Sequence, residues 1–337
     1  KVEILHIENL NFRYPKAEKD TLHNVSLNIG QGDFTVICGA TGCGKTTLLK
    51  LIKNELSPAG EKSGEILYNG KNIDSLSLRE SACAIGFVGQ NPDNQIVTDK
   101  VWHELSFGLE NLGVPQNVIR RRVGEMASYF GIQDWFRKKT DELSGGQKQL
   151  LNLASVMVMQ PKVLILDEPT SQLDPIAAAD FIATLKKLNT EFGITVLLVE
   201  HRLEDVFPIA DKVLLMENGC VLLYDSPRAV GKNLKKINPE HPMLKGLPSA
   251  VRLYNLLSSD EVCPLTVKEG QEFFRRNFKR NIDFSGGDKS EYFDKSDAAI
   301  ELKNVWFRYE RDLPDILRGV NLKAVRGEIF CILGGNG

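Results

Sequence analysis

Apolar and polar residues alternate at the start of the chain and then give way to an apolar stretch. The alternation covers residues 3–14 and resumes over residues 22–29, and each segment is predicted to be a strand. Residues 34–38 are largely apolar and predict a buried strand. The pattern therefore predicts an antiparallel sheet that leads into a buried core.

Strand and helix patterns then alternate along the chain. Apolar stretches at residues 163–166 and 195–199 predict central parallel strands, and a further strand is predicted to end at Gln90. Apolar residues three and four positions apart predict helix from about Val101 to Trp135. This alternation predicts an α/β fold with functional residues at the carboxyl ends of the strands.

The segment that follows the strand at residues 34–38 has the pattern G-x-x-x-x-G-K-[ST] and precedes a predicted helix. A strand, a glycine-rich loop and a helix in that order predict a phosphate-binding loop. Its backbone N–H groups can turn toward phosphates, and the helix N-terminus adds partial positive charge. Lys45 is expected to reach the β- and γ-phosphates of ATP, and the Thr46 hydroxyl to bind Mg²⁺. The predicted ATP-binding residues of this loop are Gly39, Ala40, Thr41, Gly42, Cys43, Gly44, Lys45, Thr46 and Thr47.

Polar side chains stand at the ends of three predicted strands. Asp167 suits a Mg²⁺ ligand, and Glu168 is placed to polarise a water molecule toward the γ-phosphate. Gln90 and His201 are candidates for positioning metal, water and γ-phosphate, although a lone histidine is more often structural. The predicted Mg²⁺ site is therefore Thr46, Gln90 and Asp167, and the predicted catalytic residues are Glu168, His201 and Gln90.

A second glycine-containing motif opens a predicted helix. Ser144 is a natural N-cap, and Gln147 completes a capping box three residues later. The helix is expected to run to about Met159. Residues 171–175, which include Asp174, predict a turn.

Composition narrows the function classes. The chain has 337 residues and a net charge of −2, so its overall charge gives no general attraction to nucleic acid or to an anionic membrane. No apolar run reaches the length of a membrane span, and no signal peptide pattern opens the sequence. The six cysteines have no metal-ligand spacing and are expected to be mostly core residues in a reducing compartment.

The character of the sequence changes after Tyr224. Residues 226–246 are rich in Pro, Lys and Asn, and helical spacing follows from Leu247 to Leu257. Two interpretations are open for residues 273–280, a nucleic-acid patch or the amphipathic end of a small helical part, and the second is favoured. The predicted divisions are a domain at 1–225, a helical appendage at 226–282, a linker at 283–298 and the beginning of a second domain at 299–337.

The end of the chain repeats its beginning. Residues 302–309 match residues 7–14 at a constant offset of 295, which pairs Tyr309 with Tyr14. The last glycine-rich residues correspond to the opening of the phosphate loop. We expect a second domain of the same kind as the first and a sequence that stops within it.

These motifs occur in the order found in ABC transporter ATPases, which the chain resembles over residues 3–225. The resemblance implies a P-loop NTPase fold with an N-terminal antiparallel β subdomain, a RecA-like parallel-sheet core and a helical signature subdomain. It implies ATP and Mg²⁺ as cofactors. On position alone Tyr14 is either a base-stacking residue or a half-buried strand tyrosine, and the resemblance implies that it stacks on adenine. It also implies head-to-tail pairing of two such domains, in which the signature residues face the γ-phosphate bound by the other domain. The signature residues are Ser144, Gly145, Gly146 and Gln147, and Asp174 belongs to the D-loop.

A narrower resemblance is to the ATPase subunits of energy-coupling-factor importers, which take up vitamins or transition metals. Residues 90–95, 107–112 and 200–204 carry it, and residues 248–274 are similar to the small C-terminal helical part. It implies two fused ATPase domains and two partners, a transmembrane coupling protein and a substrate-binding membrane protein, at the cytoplasmic face of the cell membrane. Residues 91–142 would contact the membrane partner. Leu150 and Gln172 depart from the family pattern without removing a catalytic group.

Two other functions remain open at this level. A soluble twin ATPase acting on ribosomes or DNA usually has a long charged connector, whereas the connector here is partly apolar. An inactive or regulatory remnant would fit a chain with one complete set of nucleotide-binding groups. The sequence favours the importer subunit and does not identify its substrate.

Overall fold

The computed structural model describes residues 2–257, 259, 261–278, 298–311, 314–332 and 334. The chain divides into two compact units, Lys1–Asn277 and Phe278–Gly337. The predicted linker and residues 335–337 fall outside the described residues, apart from Ala298. The predicted appendage, as far as Asn277, therefore belongs to the same unit as the predicted domain at 1–225.

An antiparallel sheet of four strands begins the first unit, in the order β2-β1-β4-β5. The strands of this sheet are β1 (Glu3–Arg13), β2 (Leu22–Gly30), β4 (Glu61–Tyr68) and β5 (Lys71–Asn72). Residues on one side of β1 and β2 are buried, and those on the other side are mostly exposed. The predicted alternation is thus confirmed for both strands.

The core sheet has six strands in the order β10-β9-β3-β8-β7-β6. Its strands are β3 (Phe34–Cys38), β6 (Ile85–Val88), β7 (Val163–Asp167), β8 (Thr195–Val199), β9 (Lys212–Glu217) and β10 (Cys220–Asp225). All neighbours are parallel except β9 and β10. Every residue of β3, β7 and β8 is buried, as expected for strands covered on both faces.

Helices cover the core sheet and extend beyond it. Their bounds are α1 (Lys45–Ile52), α2 (Leu78–Ala84), α3 (Val101–Asn111), α4 (Gln116–Tyr129), α5 (Gly145–Met157), α6 (Pro175–Phe192), α7 (Leu203–Val206), α8 (Pro227–Ile237), α9 (Ser249–Leu257) and α10 (Val267–Asn277). Two hydrophobic clusters fill the unit. One cluster contains Ile165 and Leu197 together with buried residues of β1 and β2. The other contains Leu164 and Leu198 together with buried residues of α3, α5 and α6. Successive strand residues thus face opposite clusters.

Predicted boundaries differ from the structure at two places. The strand expected to end at Gln90 ends at Val88, whereas the helix expected to run to about Met159 ends close to that position, at Met157. The helical stretch from Val101 is broken between α3 and α4, where Gly113 has φ 64° and is followed within two residues by Pro115. A glycine in the left-handed conformation ends a helix, and proline favours a new start.

The helical part after β10 begins where the predicted appendage begins, but its first helix precedes the helical spacing recognised from Leu247. Residues 226–246 showed only a compositional change, but α8 occupies Pro227–Ile237, with the Ser226 hydroxyl accepting from the Ala229 N–H. Only four of its residues, Pro227, Val230, Gly231 and Leu234, are buried. Four basic residues on the helix obscured that narrow apolar stripe in the sequence.

The second unit contains a hairpin of β11 (Ala298–Phe307) and β12 (Leu317–Val325). Leu302 pairs with Leu322 and Phe307 with Leu317. These pairs lie 295 positions after Ile7–Leu27 and Phe12–Leu22 in the hairpin of β1 and β2. Asn304 and Asn9 also share a φ of 49°. The repeat in sequence is therefore a repeat in strand register.

Two expectations from composition have different outcomes. Among the helices of the described residues, none is long and apolar enough to cross a membrane. The cysteines are not mostly core residues: Cys38, Cys43 and Cys263 are buried, whereas Cys83, Cys220 and Cys331 are exposed.

Candidate nucleotide-binding site

The phosphate loop joins β3 to α1 and turns tightly against the end of β9. Gly39 has φ 148°, and a Cβ there would lie 2.2 Å from the Met216 carbonyl oxygen. Gly44 caps α1 in the left-handed conformation with φ 101°. Side chains at these positions would collide or strain the backbone, so the glycines permit the loop to curl.

Lys45 is the first residue of α1, and its side chain lies against the preceding phosphate loop. Its Nζ donates to the carbonyl oxygens of Gly39 at 2.9 Å and Ala40 at 3.0 Å, and only 5% of the residue is exposed. A buried ammonium group beside a helix N-terminus gives this loop concentrated positive charge. The arrangement suits a polyphosphate.

Thr46 and Asp167 come together from segments 121 residues apart. The Thr46 hydroxyl donates to Asp167 Oδ1 at 3.1 Å. Burial raises the pKa of the Asp167 carboxyl, and the bond from Thr46 partly offsets that effect. A hydroxyl and a carboxylate oxygen are hard ligands of the kind Mg²⁺ prefers, so both residues fit the predicted metal site.

Glu168 and His201 also meet. The His201 ring Nε2 lies 2.8 Å from Glu168 Oε1. Glu168 has φ 49°, and a left-handed conformation in a residue other than glycine costs about 1–3 kcal/mol. Its N–H donates to the Val199 carbonyl oxygen at 3.1 Å, which holds this turn against the end of β8. The fold thus maintains a strained backbone that brings the carboxylate to the histidine.

Glu200 was missed by sequence reasoning. It is 4% exposed, and its Oε1 accepts from the Thr170 hydroxyl at 2.7 Å and the Thr170 N–H at 3.3 Å. Burial raises the pKa of its carboxyl. The contact ties the segment after Glu168 to the segment that carries His201. A glutamate directly after an apolar strand was the available signal.

Gln90 is exposed and follows Gly89, whose backbone N–H and carbonyl oxygen are both hydrogen-bonded to side chains. Gln95 Oε1 accepts from the Gly89 N–H at 2.7 Å, and Gln149 Nε2 donates to the Gly89 carbonyl oxygen at 3.0 Å. Within the described part of the chain, no hydrogen bond joins the Gln90 side chain to Thr46 or Asp167. Its role as a metal ligand stays a prediction.

Helix α5 is tied to the segment after Gln90. Asn152 Nδ2 donates to the Pro92 carbonyl oxygen at 3.3 Å, and Lys148 Nζ lies 2.7 Å from Asp93 Oδ1. Neither contact could be predicted from a local pattern, because the partners are 60 and 55 residues apart.

The signature motif forms the predicted capping box at the start of α5. The Ser144 hydroxyl accepts from the Gln147 N–H at 3.3 Å, and Gln147 Oε1 accepts from the Ser144 N–H at 3.0 Å. Gly145 is exposed, and a Cβ there would meet no atom within 4 Å. Among the described residues, no hydrogen bond or ion pair joins residues 144–147 to the phosphate loop. Gly146 lies close to α6, where a Cβ would be 3.4 Å from that of Ala177.

Asp174 has a structural role as the N-cap of α6. Its Oδ1 accepts from the N–H groups of Ile176 and Ala177, each at 3.0 Å. Pro175 occupies the first turn, which favours a helix start at this point. Its further role in the D-loop stays a prediction.

Tyr14 follows β1 and points its hydroxyl at the phosphate-loop helix. Its OH lies 3.1 Å from the Thr47 hydroxyl oxygen, and its ring packs edge-on against Phe12 at 4.9 Å. The residue is 37% exposed. A ring fixed at its edge and tip with open surface remaining can stack on a base.

The antiparallel sheet, the parallel core and the helix opened by the signature motif define the molecule as a P-loop ATPase of the ABC class. Residues 22–171 match the family model described as ABC transporter. An ABC transporter ATP-binding protein of Pyrococcus horikoshii is 37% identical over 69% of this chain and 83% of its own length. The chain belongs to the ABC transporter ATP-binding family, whose members are ATPases.

Solved structures agree with this family. The cbiO1 structure from Clostridium perfringens, described as part of the ABC transporter complex cbiONQ, is 35% identical with a TM-score of 0.63 and covers 77% of this chain and 100% of its own. A dimeric ATP-binding cassette in a post-hydrolysis state, bound to ADP and Pi, is 26% identical with a TM-score of 0.58, over 67% of this chain and 99% of its own. The expected ABC ATPase fold is confirmed.

Longer relatives match almost the whole chain. An ABC transporter ATP-binding protein of Bacillus thuringiensis subsp. konkukian is 41% identical over 98% of this chain. The chain spans 59% of the length of that relative.

Proposed function

We propose that this chain is the ATP-hydrolysing motor part of an ABC importer of the energy-coupling-factor type. The transported substrate would be a vitamin, a vitamin precursor or a metal ion. The observation that carries the proposal is the Glu168–His201 contact beside the Thr46–Asp167 contact in an ABC ATPase fold. The likeness to cbiO1 supports the narrower importer type.

Each residue of the site has a distinct role in this proposal. The loop N–H groups and Lys45 bind the phosphates, while Thr46 and Asp167 would hold Mg²⁺. Bound Mg²⁺ would neutralise charge on the phosphate oxygens. Glu168 orients the attacking water, and His201 holds the Glu168 carboxylate in place. Gln90 would complete the metal and water contacts.

A complete site requires a second ATPase domain. The capping box occupies the Ser144 and Gln147 N–H groups but not those of Gly145 and Gly146. Because Gly145 is exposed at the start of α5, these N–H groups are accessible to an anion on another domain, which supports a role in trans for residues 144–147. The shared register of β11–β12 and β1–β2 supports a second ABC domain that begins near residue 299. The pairing partner would be that domain in a longer protein or another copy of the chain.

Residues 91–142 are the proposed contact with a transmembrane coupling protein. Helices α3 and α4 flank a cavity of about 440 Å³ whose lining includes Trp102, Arg120 and Phe136. Trp102 is 41% exposed, and aromatic and arginine side chains are favoured at protein interfaces. This surface supports the proposed contact with a transmembrane coupling protein. The proposal also includes a substrate-binding membrane protein as the further partner, a position at the cytoplasmic face of the cell membrane, and no nucleic acid.

Affinity purification of the full-length protein from membranes tests the proposal. We expect a small polytopic membrane protein in the purified complex and a loss of that protein when Trp102→Ala is introduced. Sedimentation with ribosomes, or binding to DNA, without any membrane partner would instead favour the soluble twin-ATPase function.

A further inference from the structure

The helical part after β10 reaches the ATPase core through a buried histidine. His241 is 4% exposed and lies between α8 and α9. Its ring Nε2 is 3.0 Å from Oε1 of Glu217, the last residue of β9. A contact of this kind is costly to leave unsatisfied, because the imidazole is removed from water.

The His241 ring has a defined tautomer. Its Nδ1 accepts a hydrogen bond from the Met243 N–H at 3.2 Å. A backbone N–H can only donate, so Nδ1 carries the lone pair and the proton of the neutral ring lies on Nε2. Nε2 therefore donates to the Glu217 carboxylate, and the histidine is held at both nitrogens.

Glu217 begins a rigid turn. The next two residues, Asn218 and Gly219, have φ of 48° and 79°, the pair of left-handed conformations of a two-residue type I′ hairpin turn. The Gly219 N–H donates to the Cys43 carbonyl oxygen at 3.2 Å, and the His23 N–H donates to the Gly219 carbonyl oxygen at 2.9 Å. The turn that holds Glu217 thus also contacts the phosphate loop.

The contact at Cys43 orients a peptide group of that loop. In a trans peptide the carbonyl and the following N–H point in opposite directions. Because the Cys43 carbonyl points at Gly219, the Gly44 N–H points away from the β9–β10 turn. A hydrogen bond accepted by the carbonyl also strengthens the N–H as a donor to a phosphate.

We propose that His241 is a positioning residue for the nucleotide site: through Glu217 and the β9–β10 turn, it fixes the phosphate loop in its binding conformation. The helical part 226–277 then affects nucleotide affinity through the contact between the β9–β10 turn and the phosphate loop. The inference rests on residues 39–47 being the phosphate site.

Isothermal titration of the chain with ADP tests the inference. We expect His241→Ala to raise the ADP dissociation constant about fivefold, the change that loss of one ordinary hydrogen bond produces. Asn255→Ala is the matched control, because Asn255 is also buried in the helical part and its Nδ2 donates to the Gly231 carbonyl oxygen at 3.0 Å, away from the turn. Asn255→Ala should lower the melting temperature and leave ADP affinity unchanged.

Changes at Glu217 test the same contact from the core side and do not depend on the folding of the histidine variant. Glu217→Gln keeps an oxygen that accepts from His241, whereas Glu217→Ala removes it, and both remove the charge. ADP should bind about fivefold more weakly to Glu217→Ala than to Glu217→Gln. Equal affinities in that pair, or an equal loss in Asn255→Ala and His241→Ala, would overturn the inference. A wild-type chain that binds no ADP would contradict the assignment of the loop itself.

Discussion

His201 Nε2 and Glu168 Oε1 lie 2.8 Å apart, although the two residues are separated by 33 positions in the chain. They follow β8 and β7, which are adjacent parallel strands. The pair forms because both strands end at the same edge of the sheet, and the left-handed backbone at Glu168 turns its side chain toward the ring. This contact orients the carboxylate that we propose positions water.

Glu168→Gln is expected to bind ATP normally and to lose turnover by about 100-fold or more, because the amide that replaces the carboxylate cannot polarise the attacking water by accepting its proton. His201→Ala should reduce turnover less, since it removes only the group that orients Glu168. ATP titration and phosphate release on the paired domains measure the two effects. Persistent hydrolysis by Glu168→Gln would exclude the assigned role.

Thr46→Val should raise the Mg²⁺ concentration needed for nucleotide-dependent activity about tenfold, because the variant keeps the side-chain shape and loses an oxygen ligand. Thr46→Ser is the control, since it retains the hydroxyl that donates to Asp167. Magnesium titrations of both variants at fixed ATP measure the change. An unaltered Mg²⁺ requirement in Thr46→Val would place the metal elsewhere.

Tyr14→Ala should weaken ATP binding by about 1–3 kcal/mol if the ring stacks on adenine. Tripolyphosphate lacks a base, so its affinity should stay the same. Tyr14→Phe keeps the ring and removes the hydroxyl that contacts Thr47, so this variant should keep most of the ATP affinity. Equal losses for ATP and tripolyphosphate in Tyr14→Ala would instead indicate that Tyr14 acts only on the loop.

Alkylation of Cys43 is expected to block nucleotide binding, but the thiol should react slowly. Cys43 is 6% exposed, and burial raises the pKa of its thiol. At pH 8 the exposed Cys83 and Cys220 should be modified about tenfold faster or more, because the thiolate is the reactive form. Peptide mass spectrometry over a time course of iodoacetamide treatment measures each rate. Early and complete labelling of Cys43 would contradict the buried position.

Glu200→Gln should raise stability at neutral pH. Burial holds the pKa of Glu200 above its ordinary value of 4.5, so the folded chain binds this proton more tightly than the unfolded chain. This group's contribution to stability therefore falls as pH rises from 4.5 through the raised folded pKa. The gain in melting temperature from Glu200→Gln should be larger at pH 7 than at pH 4, where the carboxyl is mostly protonated in both states. Equal gains at the two values would rule out this cause.

The sequence alone determined the local elements and the order of the motifs. The apolar stretches at β3, β7 and β8, the phosphate loop and the capping box at Ser144 are patterns within short segments, where spacing and side-chain chemistry are sufficient. The constant offset of 295 likewise predicted the beginning of a second domain, and the register of β11–β12 agrees with that of β1–β2 residue by residue. The helix α8 was not recognised from the sequence, because its stripe of buried residues is narrow.

Which side chains meet depends on the folded sheet rather than on any local pattern. The Thr46–Asp167, Glu168–His201 and His241–Glu217 contacts each join distant segments, and their geometry depends on strand order and register. A local pattern identifies a residue at a strand end, but not the neighbour that the folded sheet brings within hydrogen-bonding distance. For the same reason the sequence indicated a phosphate loop at Gly39, while the fold revealed the β9–β10 turn behind it.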